Sequence, residues 1–404
     1  MKLHRTLPIQ SKMRRYIKTA NGIKKFISDT DYTKYEDGTT VNYQSDGELF
    51  VVVPKYWYTA NKKVVDGVNQ YGLTLYNRHV AGAKESKEVH ISAVEASSDD
   101  ATNATPSLYS IIKANILYNN DGSVDASNLT YAEDATNYRG GNARSNDTND
   151  TDTGAKCMLG RPVTSLTRAA FRERAARRGT GYSQQYWTAY MAWVRLYVVE
   201  YCSFNSQASY NENKTTEGYM QGGLGAGVSA ISNWGNLNGY NPVVPCGITI
   251  RLGNKTGVVT YRTDSQTTYV PSYRGIENPF GEIWKWTDGL NQHDTEIYVC
   301  DDITKFADDT STGYELRGNC ATGGWIKDVI WDENGEFIPS AVGGSDSSYY
   351  HDYMWYAEGW SVLFSGGGAD HGSYDGLFYF NVYYDSSVAN ANIGGRLYYT
   401  PDNN

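Results

Sequence analysis

Cysteine and histidine are the residue types in this 404-residue chain best suited to covalent or metal chemistry, and their spacing is unhelpful to both. Cys157, Cys202, Cys246, Cys300 and Cys320 come no closer than the twenty positions from Cys300 to Cys320. An odd, widely spaced set predicts buried free thiols rather than a disulfide framework or a thiol-pair site. His4, His79, His90, His293, His351 and His371 show no H-x-x-x-H or H-E-x-x-H pattern, and His351 with His371 lacks a third ligand. Asp147, Asn149, Asp150 and Asp152 sit in a polar run, but an EF-hand register starting at Asp150 meets Arg161 where its bidentate Glu belongs. That run reads as a solvated loop. No glycine run leads into a helix with a P-loop Lys-Ser/Thr, and no Ser/His/Asp or Cys/His set stands out.

The chemistry the chain does offer is non-covalent. Residues Ser361 to Asn404 contain no Lys, Glu, Gln, Met or Trp, and are built from Tyr, Asn, Asp, Ser, His, Gly and Ala between short apolar blocks such as Val362-Leu363-Phe364 and Leu377-Phe378-Tyr379-Phe380. No codon ending in C encodes any of those five missing types, so AAC codons randomised at their adenines would produce this alphabet. The plain alternative is a Gly/Ser-rich loop region that happens to lack them. Tyr, Ser, Asn and Gly are also the residues of antibody paratopes, where Tyr supplies rigid contact area and small polar side chains adapt their hydrogen bonds.

The elements that must position these side chains are mostly short. Forty-one glycines and few long apolar runs predict turns and strands rather than a helical bundle, while 35 Tyr and 10 Trp supply area for a core. Residues 1 to about 30 carry Lys or Arg at eight positions and read as a basic arm or docking segment. Glu48 to Ala60 reads as one or two strands, with Pro54 marking an edge or bulge. Arg139 to Gly154 has no apolar residue larger than Ala and is the best candidate linker. Beyond it, Thr167 caps a predicted helix that ends at Gly179, with an Arg-rich, solvated face. A second helix is predicted from about Ser183 to Tyr201, with Trp187, Tyr190, Met191, Val194, Tyr197, Val198 and Tyr201 as one apolar stripe. Strands are expected at Cys246–Gly253 and Gly257–Arg262. A net charge of −9 argues against nucleic-acid binding by the chain as a whole. No segment approaches a membrane span of roughly 18 apolar residues, and the basic N-terminus lacks the apolar region of a signal peptide.

Asn278 to Trp286, N-P-F-G-E-I-W-K-W, resembles the G-[NE]-[VI]-W-E-W signature of the formylglycine-generating-enzyme branch of the C-type lectin fold. The tail resembles a narrower group, the variable proteins of diversity-generating retroelements, especially those of tailed phages. Its matching blocks are Gly343-Gly344-Ser345-Asp346, Tyr349-Tyr350, Gly359-Trp360-Ser361-Val362, Gly376-Leu377-Phe378-Tyr379 and Asn392-Ile393-Gly394-Gly395-Arg396-Leu397. The resemblance runs from about Met158 to the end, and the first 155 residues match only loosely.

The resemblance implies an α+β chain: a C-terminal C-type lectin-like domain (156–404) with two helices and short twisted strands, preceded by a β-rich assembly domain (31–155). It implies a variable region at about 345–397, in which Tyr353, Tyr356, Asp370, His371, Tyr374, Asn381, Tyr383, Tyr384 and Val388 are the diversified, ligand-binding positions. Trp360, Phe378 and Ile393 are expected beneath them as core. The implied function is receptor binding, with a glycan or protein of the host surface as partner and the tip of a phage tail as location. Other tail proteins would dock through the N-terminal region, and a homo-oligomer, such as a trimer, is expected. No catalytic residue and no cofactor is expected; a structural calcium stays open. The alternatives are a formylglycine-generating-enzyme-like oxidoreductase, disfavoured by the missing thiol pair, and a variable lectin-like protein on a bacterial surface.

Overall fold

The structure is a computed structural model that describes residues 7–99, 103–131, 159–207, 244–262, 267–368, 371–390 and 392–401. It is predominantly β, with two α-helices among the described residues. The candidate linker 139–154 and the glycine-rich 221–228 lie outside them.

Two large sheets organise the chain. The first is antiparallel and six-stranded, in the order Tyr182–Gln184, Leu397–Tyr399, Val89–Ser92, Glu48–Val53, Arg14–Lys18, Lys24–Phe26. The second has nine strands, with Glu315–Asn319, Glu296–Val299, Trp284–His293, Trp360–Ser365, Phe380–Val382, Tyr353–Tyr356, Gly324–Ile330 and Ile338–Val342 in line. Its ninth, Ile393–Gly394, pairs in parallel with the start of Trp284–His293.

This topology corrects the expected domain plan. Leu397–Tyr399 is internal in a sheet whose other central strands come from the first hundred residues, with Tyr398 opposite Ile91 and Ser183. Both apolar cores draw residues from either side of the expected 155/156 boundary; one joins Tyr16 and Phe50 to Trp284, Trp286, Phe364 and Ile393. Nor is the first thirty residues' basic stretch a solvated arm. Arg15 is fully buried: its Nε donates to Gly275 O at 2.8 Å, and its guanidinium nitrogens to Thr249 O, Ile250 O and Thr249 Oγ1 at 3.0–3.3 Å. A buried guanidinium needs partners for its donors. Here they lie more than 230 residues away in sequence.

The helices follow from local chemistry. Helix α1 (Arg168–Ala176) starts at Thr167, whose hydroxyl accepts from Ala170 N at 3.1 Å. Its arginine face is not solvated as expected. Arg168 is buried, and with Arg172 it clamps Asp288 and Asp308, Arg172 Nε reaching Asp288 Oδ2 at 2.6 Å. Helix α2 begins at Trp187, not Ser183, because Tyr182–Gln184 is taken up as a strand. It ends at Tyr201, with Cys202 left-handed at φ 49°. It is buried well beyond one stripe: Ala189, Ala192, Trp193, Arg195 and Leu196 are buried too, as suits a helix enclosed on most sides. Tyr190 donates to Leu377 O at 2.7 Å and Trp193 Nε1 to the Tyr398 hydroxyl at 3.1 Å, so α2 ties the tail to the rest.

Other expectations meet smaller changes. Pro54 falls in the gap between Glu48–Val53 and Tyr56–Val65, where it ends a strand rather than bulging one. Tyr56–Val65 turns back on Val68–Tyr76 through Asp66-Gly67, both at positive φ, the geometry of a tight hairpin. Cys246–Gly253 is not a strand but turns and a short 3-10 helix (Ile250–Leu252), while Gly257–Arg262 is a strand.

Candidate functional site

Trp284–His293 is the strand on which the candidate site rests. Trp286 Nε1 donates to Leu166 O at 2.9 Å, and both Trp284 and Trp286 are buried. The strand pairs with Trp360–Ser365 through a register shift between Trp286 and Asn291. Gly289 lies in that shift with φ 70°; a Cβ there would come within 2.7 Å of Cys300 O. Phe380–Val382 and Tyr353–Tyr356 follow across the sheet, with Asn381 opposite Phe364 and Trp355.

Their side chains form a continuous aromatic surface. Ring centroids lie 4.7 Å apart for Trp325 and Tyr374, 4.9 Å for Tyr374 and Tyr353, and 4.9 Å for Tyr353 and Trp355. The series continues through Trp355–Tyr383 at 6.4 Å and Tyr383–Tyr384 at 5.0 Å to Tyr384 stacked on Phe364 at 5.7 Å. His371 meets Trp284 edge to face at 5.1 Å. Between these rings is a cleft of about 390 Å³, lined by Trp284, Trp355, Phe364, His371, Asn381, Tyr383, Tyr384, Asn390, Asn392 and Ile393.

Four of the nine singled-out positions therefore share one cleft: His371, Asn381, Tyr383 and Tyr384. Tyr353 and Tyr374 extend its aromatic wall. Tyr383 is 49% exposed and Tyr384 37%, whereas Asn381 is only 4% exposed, its Oδ1 accepting from Tyr383 N at 3.0 Å. Asn381 is thus not a projecting position, because it sits on the central strand between Phe364 and Trp355. Tyr356 does not join the others either. It lies three residues from Tyr353 on one strand, so the two point to opposite faces, and Tyr356 packs with Met354 against the main core. Val388 is half-buried against the second core and is absent from the cleft lining. Asp370 lies outside the described residues.

Phe378 and Ile393 are buried, as is Tyr379. Trp360 is not: it is half-buried, its ring 4.5 Å from His293 and 6.3 Å from Tyr298, because it begins a strand at the sheet's end. Trp355, at 36% exposure, belongs to the cleft but is not among the positions implied by the resemblance; it precedes the stretch with the Asn-codon alphabet, and Trp is not in that alphabet. Asn390 also went unassigned, its signal being the Asn codons expected of such a region.

Of the four described cysteines, Cys246, Cys300 and Cys320 are buried and Cys202 is exposed. Burial, then the carboxylates of Glu277, Glu95 and Glu282, push the Cys246 thiol well up from its ordinary value. Burial pushes Cys320 up to about 12. Reactive thiols have the opposite environment, cationic and partly open. Among the described residues no group of three or more His, Cys, Asp or Glu side chains is arranged to hold a metal ion, and no helix is long and apolar enough to cross a membrane.

No family model matches the sequence, and no curated protein matches it. Among solved structures, the chain is similar to a protein titled Major Tropism Determinant M1 Variant, at 14% identity, with 98% of this chain and 84% of that one covered. The TM-score of that superposition is 0.25, too low to carry an argument about architecture or role.

Proposed function

We propose that this chain is a non-catalytic receptor-binding protein that displays a diversified surface for attachment to a host cell, at the tip of a phage tail. The single observation behind the reading is the convergence of His371, Tyr383 and Tyr384 on one aromatic cleft over a buried bed of Trp284, Phe364 and Ile393. Tyr353 and Tyr374 lie in the same aromatic series. Side chains of an Asn-codon alphabet then sit on a scaffold that does not depend on them, which separates folding from recognition. In this reading the cleft belongs to a C-type lectin-like arrangement that shares its core with the N-terminal strands, with α1 and α2 packed on the Trp284–His293 strand. The host receptor is the partner of the cleft, and contact with other tail proteins and with further copies of this chain falls to surfaces away from it. The raised thiols of Cys246 and Cys320 weigh against the oxidoreductase alternative.

The deciding experiment has a genetic and a biochemical arm. Flanking DNA is expected to hold a near-repeat of codons 345–397 with Asn codons at the variable positions, beside a reverse transcriptase. Replacing Tyr353, His371, Tyr374, Tyr383 and Tyr384 together by Ser should abolish attachment to host cells while leaving a folded protein. Unchanged attachment by that variant would reject the assignment.

A further inference from the structure

The lining of the cleft restricts what it can hold. Among the described residues no Lys, Arg, Asp or Glu side chain lines it, so neither an anion nor a cation would find a compensating charge on them. An aromatic site built for a cation ordinarily adds a carboxylate, or at least leaves ring faces open around a point charge. Here the rings instead alternate with carboxamides: Asn381, Asn390 and Asn392 stand among Trp355, Tyr383 and Tyr384. Each carboxamide brings two N–H donors and an acceptor oxygen. A wholly apolar group filling the cleft would leave any donor that it cuts off from water without a hydrogen bond, at a cost for each one.

From this we infer that the cleft binds a neutral saccharide ring, stacked on Trp355 and hydrogen-bonded by the asparagines. This rests on the receptor-binding reading above and names its ligand class. A pyranose has a C–H-rich face that suits the electron-rich face of an indole, and a rim of hydroxyls that both donate and accept. Trp355 is placed for the stacking role. It is more than a third exposed, yet its Nε1 is tied to the Tyr379 hydroxyl at 2.6 Å, and Tyr379 is buried. The indole is therefore presented with little orientational freedom left to lose on binding. Trp355 also stands outside the alphabet that Asn codons generate, whereas Tyr383, Tyr384 and Asn381 stand within it. A constant stacking residue ringed by changeable hydrogen-bonding ones keeps the ligand class fixed while the particular sugar changes.

The test uses the full-length protein, fluorescently labelled, on intact cells of a panel of bacterial strains. Cells are left untreated, oxidised with mild periodate to open vicinal diols, or shaved with protease. Binding should fall roughly tenfold or more after periodate and stay unchanged after protease, a tenfold loss corresponding to about 1.4 kcal/mol. Trp355→Ala should lose binding to the same extent, with Trp355→Phe keeping most of it; melting temperatures establish that both variants are folded. Saturation-transfer NMR with glucose, galactose and N-acetylglucosamine should show transfer to ring C–H protons that Trp355→Ala removes. Binding that resists periodate but is lost after protease means a protein receptor: the saccharide inference then fails and the receptor-binding reading stands. Full binding by folded Trp355→Ala also overturns the inference. Failure to bind any strain overturns the receptor-binding reading, and this inference with it.

Discussion

The indole nitrogen of Trp355 donates to the phenol oxygen of Tyr379 across 2.6 Å, joining an exposed ring of the cleft to a side chain sealed in the core. Tyr379→Phe removes the acceptor and leaves the packing. The change removes one hydrogen bond, so the loss of stability should be about 0.5–1.5 kcal/mol. Denaturant unfolding measures it, and tryptophan fluorescence anisotropy should report a looser Trp355. A loss above about 3 kcal/mol would mean that the ring itself had moved.

Core and cleft should separate cleanly under mutation. Phe378→Ala and Ile393→Ala truncate buried side chains and should each cost about 2–5 kcal/mol. Tyr383→Ser should cost less than about 1 kcal/mol, since its ring is half exposed. Tyr384→Ser should cost slightly more because it gives up a stacked contact with Phe364. Thermal unfolding of the four variants gives the order directly.

The N-terminal residues should be required for the fold of the remainder. Deleting residues 1–30 removes two strands of the six-stranded sheet and leaves Gly275 O, Thr249 O and Ile250 O without Arg15. The truncated protein should be insoluble or lack a cooperative melting transition. A monomeric, cooperatively folding product would show that the N-terminal strands are dispensable.

Stability should carry a signature of Asp352. Burial pushes its carboxyl well above the ordinary carboxylate range, against the pull of the Phe378 and Tyr379 backbone N–H groups. A raised folded pKa means that this group's contribution is fully present below its unfolded pKa, roughly 3.9, and is lost as pH rises through the folded value. Asp352→Asn removes that dependence. The unfolding free energy of the natural protein relative to Asp352→Asn should therefore fall on going from pH 4 to pH 8, measured by urea titration at each pH.

Alkylation should discriminate the thiols. Exposed Cys202 should react with iodoacetamide in the native protein at pH 8, while Cys246 and Cys320 should react only after unfolding. Peptide mapping reads the result. By the same argument, a cysteine-containing sulfatase-type peptide should yield no formylglycine on incubation with the protein, with or without copper.

What the sequence made legible was local. Thr167 announces the start of α1 because its cap needs only the next three residues, and the Trp187–Tyr201 spacing announces α2 for the same reason. The aromatic wall was partly legible through the resemblance to variable proteins, whose matching blocks leave Tyr353, Tyr374, Tyr383 and Tyr384 between them. Facing was not. Tyr356 and Tyr353 look alike in the sequence, yet their odd spacing on a strand sends them apart, and Asn381 lies mid-sheet rather than projecting. Long-range pairing left no local trace at all. Arg15 looks like any surface arginine until Thr249, Ile250 and Gly275 arrive from the other end of the chain, and Arg168 until Asp288 and Asp308 do.

The position of Leu397–Tyr399 has a consequence for how copies of this protein are made. Of the six strands of its sheet it is the last to be synthesised, and until it emerges from the ribosome, Val89–Ser92 and Tyr182–Gln184 have nothing to join them. A frameshift or premature stop anywhere in 345–397 deletes or scrambles it. Such a copy loses the strand that joins its two halves, and should be cleared as an unfolded chain rather than assembled with a defective face. Changes of side chain at the cleft pass this checkpoint; errors of reading frame do not.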